Sequence, residues 1–106
     1  MRIINTPVFN RQLKRLAKRH RSIIADVVQL ASDLLENPYE GESIGSSCYK
    51  IRLAITSKGK GKSGGARVIT CVRIEGETIH LLSIYDKSDR EDLEDDELEK
   101  LLKQID

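Results

Sequence analysis

The run Ser57-Lys-Gly-Lys-Gly-Lys-Ser-Gly-Gly-Ala-Arg67 holds the densest chemistry of the chain: three lysines and an arginine carried on glycine. Glycine lets a main chain approach a phosphate closely, and lysine supplies an attraction that salt screens. Gly61-Lys62-Ser63 matches the end of a nucleotide-binding P-loop, but that motif requires glycine where Thr56 stands and a helix afterwards. Arg67-Val-Ile-Thr-Cys-Val-Arg73 is β-branched and reads as a strand, so a nucleotide site is excluded. The remaining readings are a flexible cationic loop that meets a nucleic-acid backbone and a solvated hairpin loop. Lys50, Arg52, Arg67 and Arg73 adjoin the loop with no acid between Tyr49 and Arg73, which favours the first.

The rest of the charge is equally segregated. Met1–Arg21 carries Arg2, Arg11, Lys14, Arg15, Lys18, Arg19 and Arg21 without an acid, whereas Asp89–Asp106 holds nine acids against three bases. A net charge of +1 conceals this division, which points to a polyanionic ligand. The basic helix face from Arg11 to Arg21 fits RNA phosphates or simply solvent. Cys48 and Cys71 form no metal-ligand pair and, with only His20 and His80 as further soft ligands, imply buried free thiols and no metal or other cofactor. No apolar run approaches the roughly 18 residues of a membrane span, and the cationic N-terminus lacks the apolar centre of a secretory signal. A cytoplasmic protein without membrane association is expected.

Elements must position these cations. Residues 1–106 suffice for one domain with one core. Arg2–Thr6 reads as a strand; Thr6-Pro7 reads as a cap and first turn of a helix bearing Phe9, Leu13 and Leu16. Ser22 is placed to cap a second helix with a wide apolar face (Ile23, Ile24, Val27, Val28, Leu30, Ala31, Leu34, Leu35), ended by Asn37-Pro38. Tyr39–Ser47 reads as loop. From Tyr49 the period becomes two, with Tyr49, Ile51, Leu53 and Ile55 on one face and Lys50 and Arg52 on the other. Strands over Ala66–Ile74 and Thr78–Tyr85 complete a meander, and Leu93–Ile105 reads as an acidic helix. The expected fold is α+β, in the order β-α-α-β-β-β-α. A helical hairpin packs on one face of an antiparallel sheet, with Lys50 and Arg52 on the opposite face.

Lys50-Ile-Arg-Leu-Ala, Gly61-Lys-Ser-Gly-Gly-Ala-Arg-Val-Ile69 and Leu81-Leu-Ser-Ile-Tyr-Asp-Lys87 together resemble the RelE/HigB branch of type II toxin–antitoxin toxins. The similarity is detailed from Tyr49 to about Leu93 and rests on element pattern before that. It implies ribosome-dependent, metal-independent cleavage of mRNA through the RNA's own 2′-OH. It also implies inhibition by a cognate antitoxin, with operator DNA met only through the toxin–antitoxin complex. Such a reaction needs a base at the 2′-OH, cations on the phosphate and an acid at the leaving oxygen.

Arg67 is assigned to the phosphate, which its planar guanidinium matches bidentately. Tyr85 stacks on a base, orients the phosphate or caps the core. Lys87 either transfers a proton, since like charges disfavour a charged amine, or pairs with Asp86 or Asp89. Lys62 and Lys60 serve as base or phosphate clamp, and Lys50, Arg52, Lys58 and Arg73 as RNA contacts. No tyrosine follows Tyr85, unlike RelE enzymes with a tyrosine in the C-terminal helix, and histidine-centred HigB sites are not matched by His20 or His80. A ParE-like gyrase inhibitor on the same scaffold and an RNA-binding module without activity are the competing functions.

Overall fold

The computed structural model describes residues 1–106. It contains β1 (Arg2–Asn5), α1 (Pro7–Ala17), α2 (Ile23–Glu36), β2 (Glu42–Gly45), β3 (Cys48–Leu53), β4 (Ala66–Arg73), β5 (Thr78–Asp86) and α3 (Glu97–Leu102), with one 3₁₀ turn at Thr56–Lys58. Helix α1 begins as its sequence dictates: the Thr6 hydroxyl accepts the Phe9 N–H at 3.3 Å while donating to the Leu81 carbonyl at 2.9 Å. The buried cap thus ties the helix start to β5. Ser22 stands at the N-cap position of α2 but does not bond the helix backbone. Its hydroxyl donates instead to Asp26 at 2.8 Å and accepts the Ser57 N–H at 2.8 Å, joining α2 to the glycine loop.

The sheet order is β1-β5-β4-β3-β2. Strands β3, β4 and β5 form the expected antiparallel meander. Strand β1 lies parallel to β5, so the sheet is mixed rather than wholly antiparallel. Glu42–Gly45 is an edge strand on β3 where a loop was expected. Its single half-buried apolar residue, Ile44, is too short a signal for alternation to reveal. The last helix is only six residues long, against an expected Leu93–Ile105. Ahead of it, Asp92 accepts the Leu93 N–H at 2.8 Å and Glu97 accepts the Glu94 N–H at 3.0 Å, local bonds that compete with helical ones.

Both faces of the sheet are packed, unequally. Phe9, Leu16, Ile23, Val27, Leu30 and Leu34 of the helical hairpin meet Ile51, Val68, Ile79, Leu81 and Ile84 in the main core. On the other face Cys48, Ile69, Cys71 and Leu82 are covered by Leu101, Leu98 and Leu93. Cys48 and Cys71 oppose one another in register, unbonded and buried. Burial first, and the Cys71 thiol second, push Cys48 up to about 12, so it is an inert thiol. The C-terminal segment therefore closes one half of this face and leaves the half bearing Lys50, Arg52 and Arg67 open.

At the end of β5, fully buried Asp86 accepts from Lys58 Nζ at 2.8 Å and from the Ser88 hydroxyl at 2.7 Å, and lies 2.8 Å from His20 Nε2. Burial pushes its carboxyl up, but the bonds from Lys58, Ser88 and His20 outweigh that and hold it well below the usual carboxylate range. This one carboxylate joins the α1–α2 turn, the glycine loop and the sheet. Asp86→Asn leaves Lys58 without its counter-charge and is expected to cost about 3–5 kcal/mol in urea unfolding at neutral pH. Because the folded pKa is depressed, the stabilisation is complete above an unfolded value of about 4 and fades as pH falls towards the folded value. The gap between wild type and Asp86→Asn should therefore narrow in acid; a gap constant down to strongly acidic pH contradicts the assignment.

Candidate functional site

The open half of the sheet is built by register. Arg52 pairs with Arg67 across β3 and β4, and Arg67 with Tyr85 across β4 and β5, so the three form one row. Lys50 lies two residues from Arg52 on the same face. The ladder runs past Asp86, because the Lys87 N–H donates to the Gly65 carbonyl at 3.0 Å, carrying Lys87 to the same edge. Gly65 permits this closeness: a Cβ there would stand 2.1 Å from the Leu53 carbonyl oxygen. Gly59 and Gly61 turn the preceding loop with φ of +71° and +63°.

Arg67 is only 4% exposed and has no carboxylate partner. Its Nη1 donates to the carbonyls of Lys62 and Ala66, each at 3.0 Å, and its Nη2 to that of Ser63 at 3.4 Å. The loop thus folds over the guanidinium and holds it with backbone oxygen. The Nε–H and one Nη2–H remain unused. Beside it opens a concavity of about 550 Å³, lined by Lys50, Arg52, Lys62, Arg67 and Lys87 and by Glu40, Glu42, Glu91 and Asp92. Asp92 lies 3.4 Å from Lys50 Nζ. The Leu93 N–H first, and Lys50 with it, keep the Asp92 carboxyl below its ordinary value, so it is an anion held among these cations.

Other sequence-assigned residues stand elsewhere. Lys58 is committed to Asp86 and to the Ser88 hydroxyl. Lys60 is exposed on the loop and does not line the concavity. Arg73 lies at the far end of β4, bonded to Asp106 at 2.8 Å and to Cys71 Sγ at 2.6 Å. Tyr85 is 6% exposed beneath Arg90, whose guanidinium carbon is 4.6 Å from the ring centre and whose nitrogens are bound by Glu97. Its hydroxyl is buried without a hydrogen-bond partner, and burial, then Asp92, raises its pKa. The ring is therefore no open stacking surface in this conformation. His20 belongs to the Asp86 cluster and His80 contacts Thr78, so neither imidazole reaches the concavity. No three His, Cys, Asp or Glu side chains are grouped to hold a metal.

Sequence reasoning missed the four carboxylates of the rim. Glu42 lies on β2 and Glu40 just before it, where the pattern reveals no strand, and in the sequence Glu91 and Asp92 are simply part of an acidic tail. Chemically, the site offers an anchored guanidinium, amines on the loop and at the strand end, and carboxylates with which an incoming anion would compete. A family model described as the RelE toxin of the RelE/RelB toxin–antitoxin system matches residues 1–105.

Asp92→Asn removes the anion beside Lys50. Because the Asp92 side chain is largely exposed, the gain should be modest, about 0.2–1 kcal/mol. A non-cleavable RNA oligonucleotide should bind the variant up to about fivefold more tightly at low salt, with the gain shrinking as salt rises. Equal affinities at low salt contradict competition between Asp92 and phosphate.

Proposed function

The chain belongs to the RelE toxin family, and from that membership we propose that it is a ribosome-dependent mRNA endonuclease. The toxin role and an antitoxin partner follow from the family, whose members are generally endoribonucleases. The match covers the family as a whole and does not divide RelE from HigB. The observation that carries the proposal is Arg67: a nearly buried cation without an acid, held by three carbonyls beside a concavity that four further cations line. Keeping a charge out of water costs free energy unless it is solvated by fixed dipoles, and a fixed charge needs no reorganisation when negative charge develops before it.

In the proposed reaction the RNA 2′-oxygen attacks the adjacent phosphorus while the 2′-OH proton passes to a base, and the P–O5′ bond breaks as the 5′-oxygen takes a proton. The products are a 2′,3′-cyclic phosphate and a 5′-OH. The free Nε/Nη2 edge of Arg67 grips two non-bridging oxygens as their charge grows. Lys62 and Lys87, on the loop and at the strand end, are the amines assigned to proton transfer and to the phosphate. Lys50 and Arg52 hold the flanking backbone. Tyr85 acts from beneath by seating Arg90 and bordering Arg67, and takes part in stacking only if the Arg90–Glu97 cover lifts. Lys58 supports the loop through Asp86, and Lys60 and Arg73 contribute at most peripheral attraction. The ribosome supplies mRNA geometry, so free RNA is cut poorly. Operator DNA is met only in complex with the antitoxin.

Expression of the chain alone should arrest bacterial translation, with primer extension finding cuts only within translated frames. Arg67→Ala should lower cutting by about 10²–10³-fold and, combined with Lys87→Ala, relieve the arrest, whereas Arg73→Ala leaves cutting essentially unchanged. Circular dichroism separates lost chemistry from lost fold. Intact mRNA with trapped gyrase–DNA complexes would transfer the assignment to a ParE-like inhibitor; intact mRNA with RNA binding alone would reduce it to a binding module.

A further inference from the structure

The apolar surface of α2 is divided in two. Ile23, Val27, Leu30 and Leu34 enter the core. Ile24, Val28 and Leu35 do not: they are 48%, 64% and 52% exposed, with half-buried Ala31 between them. At spacings of four, three and four these residues form one stripe on consecutive turns. The acids of the helix interior avoid it, for Asp26 bonds Thr56 and Asp33 bonds Gln29 on another side. No segment of the chain covers the stripe.

Its pattern is self-complementary. Four-three-four reads the same in both directions, so an antiparallel second helix of identical sequence sets Ile24 against Leu35 and Val28 against Ala31, twice over, about one twofold axis. Such an isologous contact is the commonest route to a homodimer. Charge agrees with the antiparallel sense. Arg21 precedes the stripe and Glu36 follows it; both are exposed, and neither forms an ion pair within the chain. Antiparallel apposition brings each Arg21 towards the second copy's Glu36 and opposes the two helix dipoles, whereas a parallel pair would align like charges. We propose that the α2 stripe of Ile24, Val28, Ala31 and Leu35 is a docking surface for a second copy of this chain, pairing α2 antiparallel to α2. The patch is small for a protein interface, so the dimer is a weak one. The nuclease concavity lies on the opposite face of the sheet and is left open in the pair.

Sedimentation equilibrium of the full chain from micromolar to submillimolar concentration tests this independently of any cleavage assay. The mass should rise from 12.0 kDa towards twice that value. Val28→Arg, at an exposed position that leaves the core intact, should remain monomeric with an unchanged circular dichroism spectrum. Arg21→Glu should weaken the dimer at least severalfold, and adding Glu36→Arg should restore it. Val28→Cys with Ala31→Cys should cross-link two chains on mild oxidation, whereas Val28→Cys alone should not. A chain monomeric throughout overturns the proposal, as does a dimer indifferent to Val28→Arg and devoid of the cross-link.

Discussion

A positive charge sits at the start of β4 with no carboxylate beside it, and the neighbouring backbone is shaped to bear it. The carbonyls of Lys62, Ser63 and Ala66 converge on the Arg67 guanidinium, which requires a loop able to double back over a strand. Glycine at 65 allows that, because no side chain fits against Leu53 there. Once the guanidinium is anchored, Lys62 is drawn to the rim of the concavity and the adjoining strand end places Lys87 opposite. The glycine-rich composition, the buried arginine and the position of the amines are thus consequences of one solvation problem.

A second charged group solves the complementary problem from behind. Asp86 gathers Lys58, Ser88, His20 and Arg19 around a carboxylate that is wholly buried. The loop lysines therefore divide their labour. Lys58 fastens the base of the loop to the helical hairpin, Lys62 reaches the concavity, and Lys60 between them faces solvent. Anchoring one end of a glycine-rich segment reduces the conformational freedom lost when a ligand orders the rest. The C-terminal segment adds the opposing element: Leu101 and Leu93 pack on the sheet while Glu91 and Asp92 enter the cationic half. Under the proposed function a phosphate would compete with those anions, which favours a polyanion bound at several points over a single small anion.

Much of this arrangement was legible in the sequence, and the limits have physical causes. The 3.6-residue spacing of Phe9, Leu13 and Leu16, the Thr6-Pro7 start and the alternation from Tyr49 onward identify the helical hairpin and the meander, because each reflects burial of a single face. Lys50, Arg52, Lys62, Arg67 and Lys87 were all singled out by charge and by resemblance to one family, and all line the concavity. Pairing between distant segments left no comparable mark. The parallel β1–β5 contact, the short polar β2 and the rim acid Glu42 that it carries are set by tertiary packing. Charge type alone does not separate Lys58 from Lys62, since the difference lies in a buried carboxylate 28 residues away in sequence. The apolar face of α2 is wider than the core covers, so its outer edge remains on the surface.

In the proposed reaction Arg67 meets an RNA phosphate through its unused N–H groups. Its Nε–H resonance, followed by NMR during titration with an oligonucleotide carrying a 2′-O-methyl group at the scissile position, reports on that contact without cleavage. A large shift and slowed hydrogen exchange at Arg67 Nε are expected at saturation, with Arg73 unaffected. An Arg67 signal that stays in place while the resonances of Arg73 or of the α1 arginines move would contradict that role.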